Sequence, residues 1–427
     1  MIEQFPGLPL SGGVKESRKP VVATDIRPRR FRPVPGLVEL MRSVEREGWI
    51  NLGAGVPSPD LLPVEELRRA FARAGKKYGR GMWAYQRPEG HEDVRAALAG
   101  RLRNRQTRVG AGDILLTNGC TQALHLALAL HSRKGGIVAC ESPCYYNLLE
   151  QIDALGARSL ALPTDPVLGM DPEVVAPYLE RFRPDCLVVC STLSNPGCAT
   201  IPLARRKALV VLCRRLGIRL IDDDIYGELH EGGALPPLRA FDDGGTVTYV
   251  SATCKSVAPG LRVGMMIPGG DFFEAAVRLK CMSDLQCPTV TEATLALFLQ
   301  GDLMDRHLAR LHAVCRRRRK TLRDAVIGHF PEGTRVSQPE GGFLIWVECP
   351  VGAGSTRFKE AAAARRVSFA PGEIFFNRAP EKICMRLNAA RASEPDLARG
   401  AALLGEALRA AAGKPRRSTG PGRKSRK

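Results

Sequence analysis

The chain has 427 residues, a length that suggests two lobes or one large α/β domain with an appendage. Its composition, 44% hydrophobic and 25% charged residues, is typical of a soluble globular protein. No apolar stretch approaches the roughly 20 residues that span a bilayer, and residues 1–10 show no secretory signal. We therefore expect a cytoplasmic protein without a membrane partner. The net charge is +19, but residues 1–36 contribute +4 and residues 413–427 contribute +7, so nucleic acid is not the expected partner of the folded part.

Thirteen cysteines are spread along the chain. None forms a Cys-x-x-Cys pair, and no histidine stands at ligand spacing near the two pairs that are four residues apart, Cys140/Cys144 and Cys186/Cys190. We therefore expect no metal site and no disulfide framework. Most of the thiols should be small buried apolar groups.

Four regions are predicted in chain order. Residues 1–50 form an arm rich in Pro, Gly and Arg, followed by a helix from about residue 36 to 48. Residues 51–300 form a large domain, and residues 301–412 form a smaller α+β lobe. Residues 413–427 have no apolar residue to bury and should be disordered.

The large domain alternates short apolar runs with helical patterns. The predicted strands are residues 114–117, 136–139, 158–162, 186–190, 219–221, 246–250 and 262–267. This alternation predicts an α/β fold with a mostly parallel seven-stranded sheet and helices on both faces. In such sheets, ligands bind beyond the carboxyl ends of the strands.

The smaller lobe has a different pattern. A basic helix covers residues 306–319, strands are predicted at residues 342–348 and 383–388, and a further helix lies near residues 357–366. The arginine run at residues 316–319 is interpreted as the solvated end of the basic helix.

Polar residues follow several of the predicted strands. Gly119, Cys120 and Thr121 open a helix after the first strand, where backbone N–H groups could bind a phosphate. An ordinary turn with Thr121 as a helix cap fits equally well. Tyr145 could stack on a flat ring, and Asn195 could donate a hydrogen bond to a ring oxygen. An exposed tyrosine and a simple Asn-Pro turn are the alternatives.

Three consecutive acids end the fifth strand, at residues 222–224. Buried carboxylates need a cationic partner, and a protonated pyridine nitrogen would provide one. A metal site is the alternative, although three consecutive side chains cannot all point the same way from a strand. Lys255 follows the next strand, with Arg262 seven residues later. A desolvated amine in this position is suited to Schiff-base chemistry.

Taken in order, these motifs resemble those of fold type I class I/II aminotransferases. The runs Asp222-Asp-Asp-Ile-Tyr-Gly-Glu-Leu229, Ala258-Pro-Gly-Leu-Arg-Val-Gly264 and Pro339-Glu-Gly-Gly-Phe-Leu-Ile-Trp346 carry the resemblance. It is strongest to the aminoadipate/kynurenine aminotransferase branch and to the aminotransferase-like domain of MocR-type regulators. It covers the chain from about Asn51 to Ala411.

The resemblance implies pyridoxal 5'-phosphate (PLP) as cofactor. Cys120 and Thr121 would bind its phosphate through their backbone N–H groups, with Arg262 as a charged partner. Tyr85 matches a tyrosine that reaches the phosphate of the neighbouring subunit, which implies a homodimer.

The ring of the cofactor would be bound by a second group of residues. Tyr145 would stack on it, Asn195 and Tyr226 would hydrogen-bond its hydroxyl, and Asp223 would pair with its nitrogen. Lys255 would bind the cofactor as a Schiff base and move the proton between the substrate α-carbon and the cofactor. Lys255, Asp223 and Tyr226 thus form the expected catalytic group.

The implied activity is transfer of an amino group between an α-amino acid and a 2-oxo acid. Arg386 would bind the substrate α-carboxylate, with Asn195 beside it. Two other hypotheses remain open: a non-enzymatic PLP-binding sensor of MocR type, and a PLP enzyme of another class, such as a lyase, racemase or oxidase. The Pro- and Arg-rich residues before Asn51 leave no room for a winged-helix DNA reader, which favours an enzyme.

The loop before Lys255 departs from the family pattern. Ala252 and Cys254 stand where the family usually has serines that touch the phosphate. Their loss should weaken cofactor binding by about 1 kcal/mol per hydrogen bond, unless hydroxyls of Ser251, Thr253 or Ser256 compensate.

Overall fold

A computed structural model describes residues 26–31, 42, 46–352 and 355–412 of the chain. Most of the arm and first helix predicted over residues 1–50, and the whole predicted tail, lie outside these residues. Within the described ranges, no helix combines the length and the apolar character that crossing a membrane requires.

The helices and strands are numbered here in chain order. The helices are α1 Val64–Tyr78, α2 Glu92–Asn104, α3 Cys120–His131, α4 Tyr146–Ala154, α5 Pro172–Phe182, α6 Leu203–Leu216, α7 Phe273–Asp284, α8 Thr289–Phe298, α9 Leu303–His329, α10 Ser355–Ala364 and α11 Glu394–Ala412. The strands are β1 Ile50–Asn51, β2 Leu115–Thr117, β3 Ile137–Ser142, β4 Arg158–Pro163, β5 Cys186–Val189, β6 Arg219–Asp223, β7 Val247–Ala252, β8 Gly264–Ile267, β9 Arg335–Val336, β10 Leu344–Gly352, β11 Val367–Ser368, β12 Ala370–Pro371 and β13 Lys382–Asn388.

The seven strands predicted for the large domain form one sheet in the order β2-β8-β7-β6-β5-β3-β4. The pairs from β7 to β4 are parallel, and β8 runs antiparallel to β2 and β7. Two apolar clusters cover its opposite faces, because strands rich in Val, Ile and Leu must be buried on both sides. The predicted α/β class, a mostly parallel seven-stranded sheet with helices on both faces, is confirmed.

The C-terminal part has a sheet of its own, in the order β12-β13-β10-β9, with antiparallel pairs. Ile50 in β1 pairs with Val367 in β11, which brings residues 50–51 to this part of the molecule. Helix α9 packs against both cores: Leu308 belongs to one apolar cluster and Leu322 to the other. The domain boundaries at residues 51 and 301 therefore stay a prediction.

The arginine run at residues 316–319 is not simply a solvated helix end. The side chains of Arg318 and Arg319 are only 12% and 10% exposed. Each arginine of the run forms an ion pair, and the three acceptors lie on different segments: Glu231 for Arg316 and Arg319, Glu394 for Arg317 and Asp60 for Arg318. The interpretation as a solvated end was wrong because the run lies in the middle of α9, where the helix passes between the two lobes.

Candidate active site

A cavity of about 400 Å³ opens beyond the carboxyl ends of the parallel strands. It is lined by nine of the ten residues predicted for the site: Cys120, Thr121, Tyr145, Asn195, Asp223, Tyr226, Lys255, Arg262 and Arg386. The tenth, Tyr85, is 83% exposed and lies outside this cavity. The strand order places residues far apart in the sequence at one edge of the sheet.

Lys255 follows β7 and reaches into the cavity. Its Nζ donates to the carbonyl oxygen of Gly55 at 2.6 Å. Burial lowers the pKa of Lys255, and the nearby charge of Arg386 lowers it further. Both effects increase the neutral fraction of the amine, which is the nucleophilic form.

Asp223 ends β6 and is buried against the cavity. Burial raises its pKa to about 6, and the thiol of Cys120 donates to its Oδ1 at 3.3 Å. A thiol is a weak donor and leaves the carboxylate poorly compensated. A cation beside Asp223 would therefore be strongly stabilised by it.

The other two acids of the triplet point elsewhere. Asp222 Oδ2 accepts the backbone N–H of Leu238 at 2.7 Å, and Asp224 forms a buried ion pair with Arg105 at 2.6 Å. Among the described residues there is no group of three or more potential ligands that could hold a metal. The alternation of side chains at the end of β6 separates the Asp223 carboxylate from those of Asp222 and Asp224.

Residues 118–122, named here the phosphate loop after the role predicted for them, comprise a two-residue turn and the first three residues of α3. Gly119 has φ 82° and precedes the helix, and no side chain caps the helix N-terminus, so Thr121 does not act as the cap. A Cβ at Gly119 would come within 2.5 Å of Arg262 Nη2, and that nitrogen donates to the Asn118 carbonyl at 2.9 Å. The glycine thus allows a guanidinium to lie against a helix N-terminus, an arrangement suited to a phosphate.

A second guanidinium lines the same cavity. Arg386 is 1% exposed, and it donates to Asn195 Oδ1 at 2.9 Å and to the Gly53 carbonyl at 2.8 Å. Its guanidinium lies 5.1 Å from the centre of the Phe375 ring. The N–H groups are held in a fixed fork, which matches the geometry of a carboxylate.

Two tyrosines, Tyr145 and Tyr226, also line the cavity. Tyr145 precedes α4, and its ring centre is 4.8 Å from that of Tyr146. Tyr226 is 2% exposed and packs edge-on to Phe343 at 6.0 Å. Burial raises the pKa of Tyr226, so its hydroxyl remains a hydrogen-bond donor at neutral pH.

Glu141 is a cavity residue to which the sequence reasoning gave no role. It is the next-to-last residue of β3. Its Oε2 accepts the Cys190 backbone N–H at 2.9 Å, while Oε1 is buried without a partner. Burial raises its pKa to about 8. The available signal was an acid directly after an apolar strand, the same signal that drew attention to Asp223.

The sequence profile described as "Aminotransferase class I and II" matches residues 47–404. The chain belongs to this family. It is an aminotransferase that uses PLP, and the resemblance predicted from the motifs is confirmed.

Relatives of this aminotransferase include enzymes and regulators. Aromatic-amino-acid aminotransferase 1 of Thermococcus litoralis is 28% identical over 87% of this chain and 90% of its own length. YjiR of Escherichia coli, described as an uncharacterized HTH-type transcriptional regulator, is 27% identical over 85% of this chain and 77% of its own. The structure of α-aminoadipate aminotransferase LysN from Thermus thermophilus, complexed with N-(5'-phosphopyridoxyl)-L-leucine, has a TM-score of 0.81 and 28% identity, covering 89% of this chain and 95% of that one.

The residues of the cavity fit PLP. The glycine cradle and Arg262 suit an anionic phosphate, and the buried Asp223 suits a cationic ring nitrogen. The two sites lie on adjacent walls, since the Cys120 side chain at the start of α3 contacts Asp223. Phosphate and ring could therefore be bound in one cavity by α3 and β6.

Proposed function

We propose that Lys255 binds the cofactor and moves the proton at the substrate α-carbon in this aminotransferase. The observation that carries the proposal is the position of its amine, which is partly buried in the cavity that Asp223 and Arg386 also line. The lowered pKa favours the neutral amine, which can attack a carbonyl and accept a proton.

We propose that four residues bind the ring. PLP, when bound, supplies an aldehyde that reacts with amines and a ring that withdraws electrons from the α-carbon. Asp223 would hold the ring nitrogen in its charged form, and Tyr226 and Asn195 would hydrogen-bond the ring hydroxyl. Tyr145 would cover one face of the ring and exclude water from it.

The two guanidinium groups would bind two anionic groups, the phosphate of the cofactor and the α-carboxylate of the substrate. Arg262, with the backbone N–H groups of Cys120 and Thr121, would hold the phosphate. Arg386 would bind the α-carboxylate of the amino acid, and Asn195, already its hydrogen-bond partner, would orient it. The α-carbon would then lie between Arg386 and Lys255, within the reach of the Lys255 amine.

The test is a panel of α-amino acids and 2-oxo acids assayed with Lys255→Ala and with Lys320→Ala, a control at an exposed lysine of α9. The wild type and the control should transfer the amino group and change the absorbance of added PLP relative to that of the free cofactor. Lys255→Ala should do neither. Retained turnover by Lys255→Ala would contradict the proposal.

We further propose that the enzyme is a homodimer in which Tyr85 reaches the partner's phosphate site. Support comes from four apolar side chains that are 56–83% exposed: Trp83, Tyr85, Met282 and Leu285. A hydrogen bond of 2.6 Å from Gln86 N to the side chain of Gln286 connects the two segments that carry them. Such an exposed apolar area is typical of an interface, and a second copy of the chain is its proposed occupant.

Hybrid dimers provide a direct test of this arrangement. Tyr85→Ala and Lys255→Ala should each be nearly inactive alone. If Tyr85 acts across the interface, mixed and reassociated subunits should recover activity, since one site of each hybrid contains both native residues. Lack of recovery in a mixture shown to contain hybrids would refute action across the interface.

We also propose a cytoplasmic location. All thirteen cysteines are free thiols, a state that reducing compartments maintain. Fractionation of the producing cells, with the enzyme followed by its activity, tests this, and recovery outside the cytoplasm would contradict it.

A further inference from the structure

A strained turn at the end of α7 lies between the phosphate loop and the segment that carries Tyr85. Leu285 has φ 62° and ψ −56°, and the Gln286 N–H donates to the Asp284 carbonyl at 2.7 Å. This is a γ-turn with positive φ, which is rare and unfavourable for a bulky residue. Such strain persists only where surrounding contacts maintain it, and it concentrates at functional segments.

One set of contacts is made by the Asp284 carboxylate. Its Oδ2 accepts hydrogen bonds from Asn118 Nδ2 and, at 2.8 Å, from Gln122 Nε2. Gln122 also accepts the backbone N–H of Asn118 through its Oε1 at 2.7 Å. Asp284 therefore holds both ends of the phosphate loop from outside the cavity.

The charge of Asp284 is balanced by Lys280, one helical turn earlier. The Lys280 side chain is fully buried, and its Nζ lies 2.7 Å from Asp284 Oδ1. The buried ammonium needs a partner, and the pair carries no net charge. The loop thus gains an ionised acceptor without a net negative charge beside a phosphate site.

The other set of contacts starts from Gln286. Its side-chain oxygen accepts the backbone N–H of Gln86 at 2.6 Å, directly after Tyr85. On the cavity side, Arg262 donates to the Asn118 carbonyl. The turn thereby connects the phosphate loop, which Arg262 contacts from the cavity side, to the Tyr85 segment, which is proposed to meet the partner's phosphate.

We infer that Asp284 is a positioning residue for recognition of the cofactor phosphate, acting through Asn118 and Gln122. It aligns the backbone N–H groups at the start of α3 without touching the phosphate, and the γ-turn ties this alignment to the Tyr85 segment. The inference rests on the proposed phosphate site of the aminotransferase.

The test compares the affinities of Asp284→Asn for PLP and for pyridoxal, which lacks the phosphate. Asparagine keeps one acceptor oxygen and loses the charge. The affinity for PLP divided by the affinity for pyridoxal should fall about tenfold, because one hydrogen bond to a charged group is lost. A general loosening of the fold would weaken the binding of both ligands equally and leave this ratio unchanged.

The matched control is Asp324→Asn on α9, where Lys320 and Asp324 form another pair four residues apart. It should retain the wild-type ratio. A wild-type ratio in folded Asp284→Asn would overturn the inference.

Should Asp284→Asn fail to fold, Gln122→Met removes the loop side of the contact while keeping the side-chain length. It should lower the same ratio, and an unchanged ratio would equally overturn the inference. Failure of the proposed role of Lys255 would be recognised separately, because Lys255→Ala would then keep its absorbance and turnover whatever the ratio.

Discussion

Replacing Cys254 by serine should strengthen cofactor binding, whereas the same replacement of Ala252 should not. Cys254 lines the main cavity together with Lys255 and Arg262. Ala252, although only two residues away, lines a separate small cavity behind the strand. Of the two missing family hydroxyls, only the one at position 254 faces the cofactor site in this structure.

The hydroxyls already present do not replace it. Ser251 donates to the Asp224 carbonyl at 3.0 Å, and Thr253 donates to the Val263 carbonyl at 3.2 Å. Both residues line the rear cavity with Ala252. The predicted gain for Cys254→Ser is therefore one phosphate hydrogen bond, about 1 kcal/mol, which corresponds to roughly fivefold tighter binding.

The assay is a titration of cofactor-free protein with PLP, followed by absorbance, for the wild type and both serine variants. Cys254→Ser should lower the Kd about fivefold, and Ala252→Ser should leave it within error. An unchanged Kd for Cys254→Ser, or an equal response of the two variants, would refute the assignment of position 254 to the phosphate site.

Three further predictions concern other residues that line the cavity: Arg386, Asp223 and Glu141. Arg386→Lys keeps the charge but loses the fork that donates to Asn195 and Gly53, so the KM for amino acids should rise roughly 10–100-fold in steady-state assays; a KM within twofold of the wild type would contradict this. Asp223→Asn removes the anionic partner of the ring nitrogen, and single-turnover amine transfer should slow by about 100-fold or more while the cofactor absorbance remains; a loss below tenfold would argue against the pairing. Burial raises the pKa of Glu141 from 4.5 to about 8, so its contribution to stability is fully present below the lower value and is lost as pH rises through the higher one. The melting temperature of the cofactor-free protein should therefore fall more between about pH 5 and 9 in the wild type than in Glu141→Gln, and parallel pH curves would exclude this explanation.

Much of the fold was predictable because the signal is local. Each strand of the large sheet is a short apolar run with breakers on both sides, and all seven predicted runs are strands of one sheet. The largest boundary difference at the start of a strand is in β8, predicted from residue 262 and observed from Gly264. Arg262 has φ 54°, a left-handed conformation that a strand cannot accommodate and that an apolar run does not reveal.

The arginine run shows the limit of local reasoning. Its composition indicated solvent exposure, yet Arg319 donates to Glu231, 88 residues away in the chain. Charge pairing between lobes depends on how α9 crosses from one core to the other. No pattern within the helix specifies that crossing.

By itself, the sequence determined the strands of the large sheet, and its motifs, through their resemblance to the aminotransferases, indicated the family, the cofactor and nine residues that share one cavity. Local patterns suffice for residues that follow parallel strands, since the carboxyl ends of such strands meet at one edge of the sheet. Arg386, which lies within β13 of the other sheet, was assigned through the resemblance alone. Only the tertiary structure decided which side chains face the cavity and which residues outside the cavity support them. Cys254 and Ala252 diverge, and Asp284 reaches the phosphate loop from 166 residues away. The physical reason is that the directions of side chains and their long-range hydrogen bonds depend on packing between elements, which local periodicity does not encode.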